Sequence, residues 1–116
     1  MNKLLYALPI LLSTLPAQAS SAVFRTTASW YGPGFHGNRT ANGEIYNQNG
    51  ISAAHKTLPF GTKLRVCNEA NAQCVDVRIN DRGPYIAGRE LDLSRGAAEA
   101  IGMIEAGVVS VTFEFL

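Results

Sequence analysis

The last stretch of the chain carries the clearest pattern: Val109, Val111, Phe113 and Phe115 alternate with Ser110, Thr112 and Glu114, which predicts a half-buried strand. Two earlier segments alternate in the same way. Thr62 to Cys67 places Leu64 and Val66 on one face, and Cys74 to Ile79 places Val75, Val77 and Ile79 on one face. With the polar stretch Asn68 to Gln73 between them, they predict a hairpin. Val23 to Tyr31 is rich in β-branched and aromatic residues and predicts a first strand. From His36 to Gly50 glycine and asparagine dominate, which predicts a long surface loop, and loops of that length usually serve a function. Ala97, Ala98 and Ile101 share one face of a short helix, with Ser94 as its N-cap and Gly102 as its terminator. Short strands, one helix and no βαβ rhythm predict a small, mainly-β barrel with loops gathered around a groove.

The N-terminus follows a different pattern. Lys3 precedes the mostly apolar run Leu4 to Leu15, and Ala17-Gln18-Ala19 offers small residues before a cut, so residues 1–19 are expected to be a removable export signal. The run is broken by Pro9 and Pro16 and is too short for a membrane span of about 20 residues. The expected product is one domain over residues 20–116, soluble, periplasmic and monomeric, with no membrane anchor.

In an oxidising compartment, Cys67 and Cys74, which flank the polar stretch and face each other across the predicted hairpin, are expected to form a disulfide. A bridge across so short a loop contributes roughly 2 to 3 kcal/mol through loop entropy. A metal site and a nucleophilic thiol compete weakly, because two lone thiols at this spacing match no zinc pattern.

Ten Lys and Arg oppose nine Asp and Glu, with the signs interleaved along the chain. This excludes the basic excess expected of a nucleic-acid binder. No metal and no cofactor are expected either, since the two histidines and the scattered carboxylates lack close ligand spacing.

Asp81 is the most informative acid. It continues the inward parity of Val75, Val77 and Ile79 and precedes the turn Arg82-Gly83-Pro84, so it reads either as a partly desolvated proton donor or as the carboxylate of an Asx-turn. Glu44 in the glycine-rich loop and His55 after Ser52-Ala53-Ala54 are candidates to line a cleft, competing with solvated and hydrogen-bonded surface roles, and His36 is a weaker one. Trp30, Tyr31, Phe35 and Tyr85 stand beside turns and suit a sugar-binding cleft. Core packing competes for Trp30 and Phe35, and Tyr85 is the best placed to meet a ligand. Asp92 before Leu93-Ser94 reads as a carboxylate at the helix entry.

Taken together, Ala28-Ser29-Trp30-Tyr31-Gly32, Thr40-Ala41-Asn42-Gly43-Glu44, Ala53 to Gly61, Val77 to Pro84 and Asp92-Leu93-Ser94 resemble the rare lipoprotein A family of septal-ring lytic transglycosylases. The resemblance covers nearly all of residues 20–116. It implies a six-stranded double-psi β-barrel with one or two short helices, the fold of expansins, barwin-like proteins and family 45 endoglucanases. It also implies peptidoglycan as substrate: cleavage of the β-1,4 bond between N-acetylmuramic acid and N-acetylglucosamine, preferably in glycan stripped of stem peptides, leaving a 1,6-anhydro end. Carried over by motif, Asp81 is the acid/base, His55 orients it or the substrate, and Glu44 stabilises developing positive charge or positions the sugar. Arg82, Tyr85, Trp30 and Tyr31 are the expected substrate contacts, and cell-division or wall-remodelling proteins the implied partners.

The chain departs from the family in showing no lipobox cysteine and no C-terminal repeat domain, and in adding the Cys67 and Cys74 pair. A free-standing domain is therefore expected. The competing expectation is a non-catalytic, expansin-like glycan-binding or wall-loosening module. A third is a secreted hydrolase or inhibitor. A hydrolase needs a second carboxylate, and Glu44 is the candidate.

Overall fold

The alternating segments become strands, and the computed structural model, which describes residues 22–116, arranges six of them around a barrel. They are β1 (Phe24–Tyr31), β2 (Ala53–His55), β3 (Lys63–Asn68), β4 (Cys74–Asp81), β5 (Leu91–Ser94) and β6 (Val108–Phe115), with one helix, α1 (Arg95–Ala100), between β5 and β6. The barrel closes in the order β1-β5-β2-β4-β3-β6. The pairs β1 with β5 and β2 with β4 are parallel and the other pairs antiparallel. The expectation of a mainly-β, six-stranded barrel with one short helix holds. The export signal lies outside the described residues.

The predicted hairpin forms with Leu64 opposite Val77 and Val66 opposite Val75, and a disulfide joins Cys67 to Cys74 beside its connecting loop. The inward residues Leu64, Val66, Val77 and Ile79 are sealed from solvent with Leu91, Leu93 and Val111. Their burial removes the apolar surface that drives closure of the barrel.

A helix as short as α1 does not hold by itself and depends on its caps and packing. Ser94 Oγ accepts from the Ala97 N–H at 3.2 Å and from the Ser52 N–H at 3.1 Å, and donates to the Gly50 carbonyl at 2.8 Å. One buried hydroxyl thus ties the helix start to the approach to β2. Gly102, at φ +68°, ends the helix in the left-handed region that favours glycine.

Two strands escape the sequence pattern. β2 and β5 are three and four residues long, and they lie side by side with Ala54 opposite Asp92. Asp92 is therefore a strand residue rather than the carboxylate of a helix entry; Ser94 alone caps α1. The register between β2 and β4 also shifts. Ala53 faces Ile79 while Ala54 faces Asp81, so one step on β2 matches two on β4. This irregularity corrects the inward parity expected for Asp81. A bulge re-aims the side chains that follow it, and Asp81 stands half-buried beside Ala54 instead of joining Val77 and Ile79 in the core.

Candidate active site

Ser29 and Tyr31 on β1, Asp92 on β5 and Ala54 on β2 alternate with the core residues Ala28, Leu91, Leu93 and Ala53, and Asp81 on β4 joins them through the register shift after Ile79. Tyr31, Ala54, Asp81 and Asp92 line a cleft of about 180 Å³, completed by Phe35, Tyr85 and the Arg82-Gly83-Pro84 turn. Ala54, the register partner of both aspartates, presents only a methyl group between them.

Asp81 is held on both oxygens. Oδ1 accepts from the Ala41 N–H and from the Arg82 N–H, each at 2.9 Å, and Oδ2 accepts from Tyr31 Oη at 3.2 Å. Tyr31 is itself fixed by stacking on Tyr46, ring centroids 4.4 Å apart. The Tyr46 hydroxyl donates to the Tyr31 carbonyl and accepts from the Arg95 N–H at the start of α1. Burial, reinforced by the Asp81 charge, raises the Tyr31 hydroxyl well above the usual tyrosine range, so it stays a donor at any working pH. Tyr46 is only 2% exposed. It is a positioning residue that the sequence reading passed over, and its burial inside a glycine- and asparagine-rich loop left no periodic signal.

Asp92 accepts one hydrogen bond, from Ser29 Oγ at 3.1 Å. Burial pushes its carboxyl up to about 6, with Asp81 adding to the rise while Ser29 and Arg89 oppose it. This acid in the cleft has a stronger claim to chemistry than the helix-entry role its sequence position suggested.

The aromatic expectations divide. Tyr31 and Tyr85 line the cleft, as does Phe35, whose ring meets Tyr31 edge-on; Tyr85 and Phe35 are 76% and 55% exposed, open faces at the rim. Trp30 turns away. Its indole N–H donates to the Ile104 carbonyl at 3.2 Å and its ring packs against the core, so it lies outside the cleft. Arg82 lines the cleft, but its guanidinium lies 3.9 Å over the Phe60 ring and donates to the His55 and Asp81 carbonyls. It braces the ends of β2 and β4.

His55 makes no hydrogen bond to Asp81. Its Nδ1 accepts from the Thr57 and Leu58 N–H groups, both at 3.1 Å, which leaves the ring proton on Nε2 in the neutral form. Burial holds its pKa below the ordinary value.

Glu44 sits apart from the two aspartates. Arg78 grips it with two hydrogen bonds at 3.0 and 2.9 Å, Asn42 and Asn80 add one each, and it lines a separate hollow of about 150 Å³ with Arg78, Asn80 and Ser52. The Arg78 hydrogen bonds, helped by Asn42 and Asn80, hold Glu44 at about 2. The loop that carries Glu44 also supplies the Ala41 N–H to Asp81, so the two sites are mechanically linked.

Because Glu44 ionises more readily in the folded chain than at its ordinary 4.5, its pairing stabilises the fold above that value. The contribution is lost as pH falls toward 2. Thermal melts of wild type and Glu44→Gln from pH 7 to 2.5 are expected to show a gap that narrows below about pH 4.5. A gap independent of pH contradicts this pairing.

Among the described residues, no three His, Cys, Asp or Glu side chains are grouped to hold a metal ion, and no helix is long and apolar enough to cross a membrane.

Known proteins share the fold and, in some, about half or more of the sequence over most of this chain. The chain is similar to the probable endolytic peptidoglycan transglycosylase RlpA of Synechocystis, 62% identical over 89 residues that make up 77% of this chain and 28% of that protein. The endolytic peptidoglycan transglycosylase RlpA of Campylobacter jejuni is 57% identical over 77% of this chain and 32% of its own length. The chain thus spans about a third of these relatives. Among solved structures, a Streptomyces papain inhibitor superposes with TM-score 0.66 at 20% identity, over 82% of this chain and 94% of its own. The Clavibacter michiganensis expansin superposes with TM-score 0.65 at 22% identity, over 82% of this chain and 50% of its own. At such identities these two speak for the barrel alone. A double-psi β-barrel family model described as lytic transglycolase matches residues 23–113, and the chain belongs to that family.

Proposed function

We propose that this domain is an endolytic peptidoglycan lytic transglycosylase of the periplasm, cleaving the β-1,4 bond between N-acetylmuramic acid and N-acetylglucosamine to leave a 1,6-anhydro end. The observation that carries the reading is Asp81, held by Tyr31, Ala41 and Arg82 at the floor of a cleft with open aromatic rims, in a chain of this family. Aromatic faces suit sugar rings, and the two-sided grip fixes the carboxyl in the cleft between them.

Lytic cleavage consumes no water. It needs a proton delivered to the departing oxygen and a proton removed from the C6 hydroxyl of the same muramic acid, which attacks C1. Asp81 is the carboxyl assigned to this acid/base work. His55, with its Nε2 proton unengaged among the described residues, serves as a donor to substrate, and through its carbonyl it steadies Arg82. Glu44 remains ionised at neutral pH and offers its hollow to sugar hydroxyls along the strand. The preference for glycan without stem peptides follows the family resemblance.

Soluble sugar released from purified sacculi, with and without prior amidase treatment, tests the substrate assignment. Release is expected to be far greater from the treated wall. Binding to the treated wall with no release would instead identify a glycan-binding module.

A further inference from the structure

The cleft holds a second carboxyl placed to share the proton transfers. β4 and β5 flank β2, and Ala54 is the register partner of both Asp81 and Asp92. The two aspartates therefore stand on either side of one methyl group, their Cα atoms about two strand spacings, roughly 10 Å, apart. Both line the cleft with Tyr31 and Tyr85.

Their surroundings differ in a way that separates their roles. Both oxygens of Asp81 act as acceptors from fixed N–H and O–H groups, the arrangement of a base. Asp92 accepts only from Ser29 Oγ, and its Oδ2 has no hydrogen-bond partner among the described residues. The charged and titratable groups that bear on Asp92 are Asp81 from β4, Tyr31 from β1, Tyr46 from the long loop and Arg89 ahead of β5. Burial dominates their sum and keeps the proton on Asp92 up to about pH 6.

We propose that Asp92 donates the proton to the departing glycosidic oxygen while Asp81 receives the proton of the C6 hydroxyl. The proposal rests on the lytic reading above and divides the work given there to Asp81 alone. As the bond from C1 to the glycosidic oxygen breaks, its electron pair leaves with that oxygen, which takes the proton from Asp92. A lone pair of O6 forms the new bond to C1, and the O6 proton passes to Asp81. Asp92 ends ionised and Asp81 protonated, and transfer of one proton back through cleft water restores the pair. No water is consumed.

The test compares wild type, Asp92→Asn and Asp92→Glu on amidase-treated peptidoglycan, with kcat and KM read across pH 4.5 to 8. Asp92→Asn keeps the size of the side chain and an acceptor for Ser29. Its kcat is expected to fall about 100-fold or more with KM nearly unchanged. The decline of wild-type activity above about pH 6 is expected to vanish from what remains. Asp92→Glu is expected to recover at least about tenfold over Asn, as a restored acid should.

Carboxyl 13C resonances give a reading independent of turnover, and that of the wild type does not depend on any variant's folding. Asp92 is expected to titrate near 6, and at lower pH in Asp81→Asn, where the neighbouring negative charge is gone. Asp92→Asn within threefold of wild type with its alkaline decline intact overturns the proposal, as does an Asp92 that titrates near 4. A wild type that yields no anhydro ends removes the lytic reading itself and the proposal with it, an outcome separate from an active wild type indifferent to Asp92.

Discussion

Replacing Asp81 by Asn is expected to slow glycan cleavage about a thousandfold or more while leaving the fold intact. General acid/base groups contribute about 100- to 10,000-fold, and Asp81 is a carboxyl fixed on both oxygens in the cleft. Asn keeps the size and one oxygen, so the Ala41 and Arg82 N–H groups retain their acceptor. What it cannot do is carry a proton from O6. The loss is expected in kcat rather than KM, since the aromatic rims that meet the sugar are untouched. Rates on amidase-treated glycan, with thermal melts as the fold control, check this. Wild-type rates in Asp81→Asn would remove the assignment.

Gly96→Ala is expected to be the most damaging small substitution in the helix, at about 3 kcal/mol, the upper part of the range for overpacked sites. A Cβ at this position would meet the Gly50 carbonyl oxygen at 2.5 Å and the Asn49 carbonyl oxygen at 2.7 Å. Both are backbone atoms and cannot rotate aside. The Gly96 N–H also donates to the Gln48 carbonyl at 2.7 Å, so the helix and the turn ahead of β2 are locked at contact distance. Separating them pulls on Ser52 and Ser94, then on β2, and so on the floor of the cleft. Gly34→Ala is the natural control, because a Cβ there meets nothing within 4 Å. Urea unfolding of the two variants is expected to separate them by most of that difference, and equal midpoints would contradict the packing described.

The long alternating runs were legible because each buries one face on a single core; β3, β4 and β6 needed no neighbour to be recognised. Helix α1 was equally legible from Ser94, its alanine face and Gly102. β2 and β5 were not, since three or four residues are too few for a period, and Ala53-Ala54 has no β signature of its own. That loss mattered for the site. Asp92 gains its meaning from β5 lying against β2, and without that pairing it reads as a helix-entry carboxylate.

Asp81 was visible from its parity and its turn, yet what brings it to the cleft is the register shift between β2 and β4, which depends on a partner strand remote in sequence. Glu44 and His55 were visible as residues, but not their partners. Nothing in the alternation of β4 marks Arg78 as the guanidinium that grips Glu44. Trp30 shows the converse, since its place beside a turn said nothing about which face of β1 it would take.

The most direct measurement is the mass of the glycan ends released from amidase-treated peptidoglycan by the isolated domain. Lytic chemistry predicts 1,6-anhydromuramic acid termini, lighter by one water than hydrolytic ends, from wild type and none from Asp81→Asn. Reducing termini from the wild type would contradict it and assign the cleft to hydrolysis, with a second carboxylate activating water.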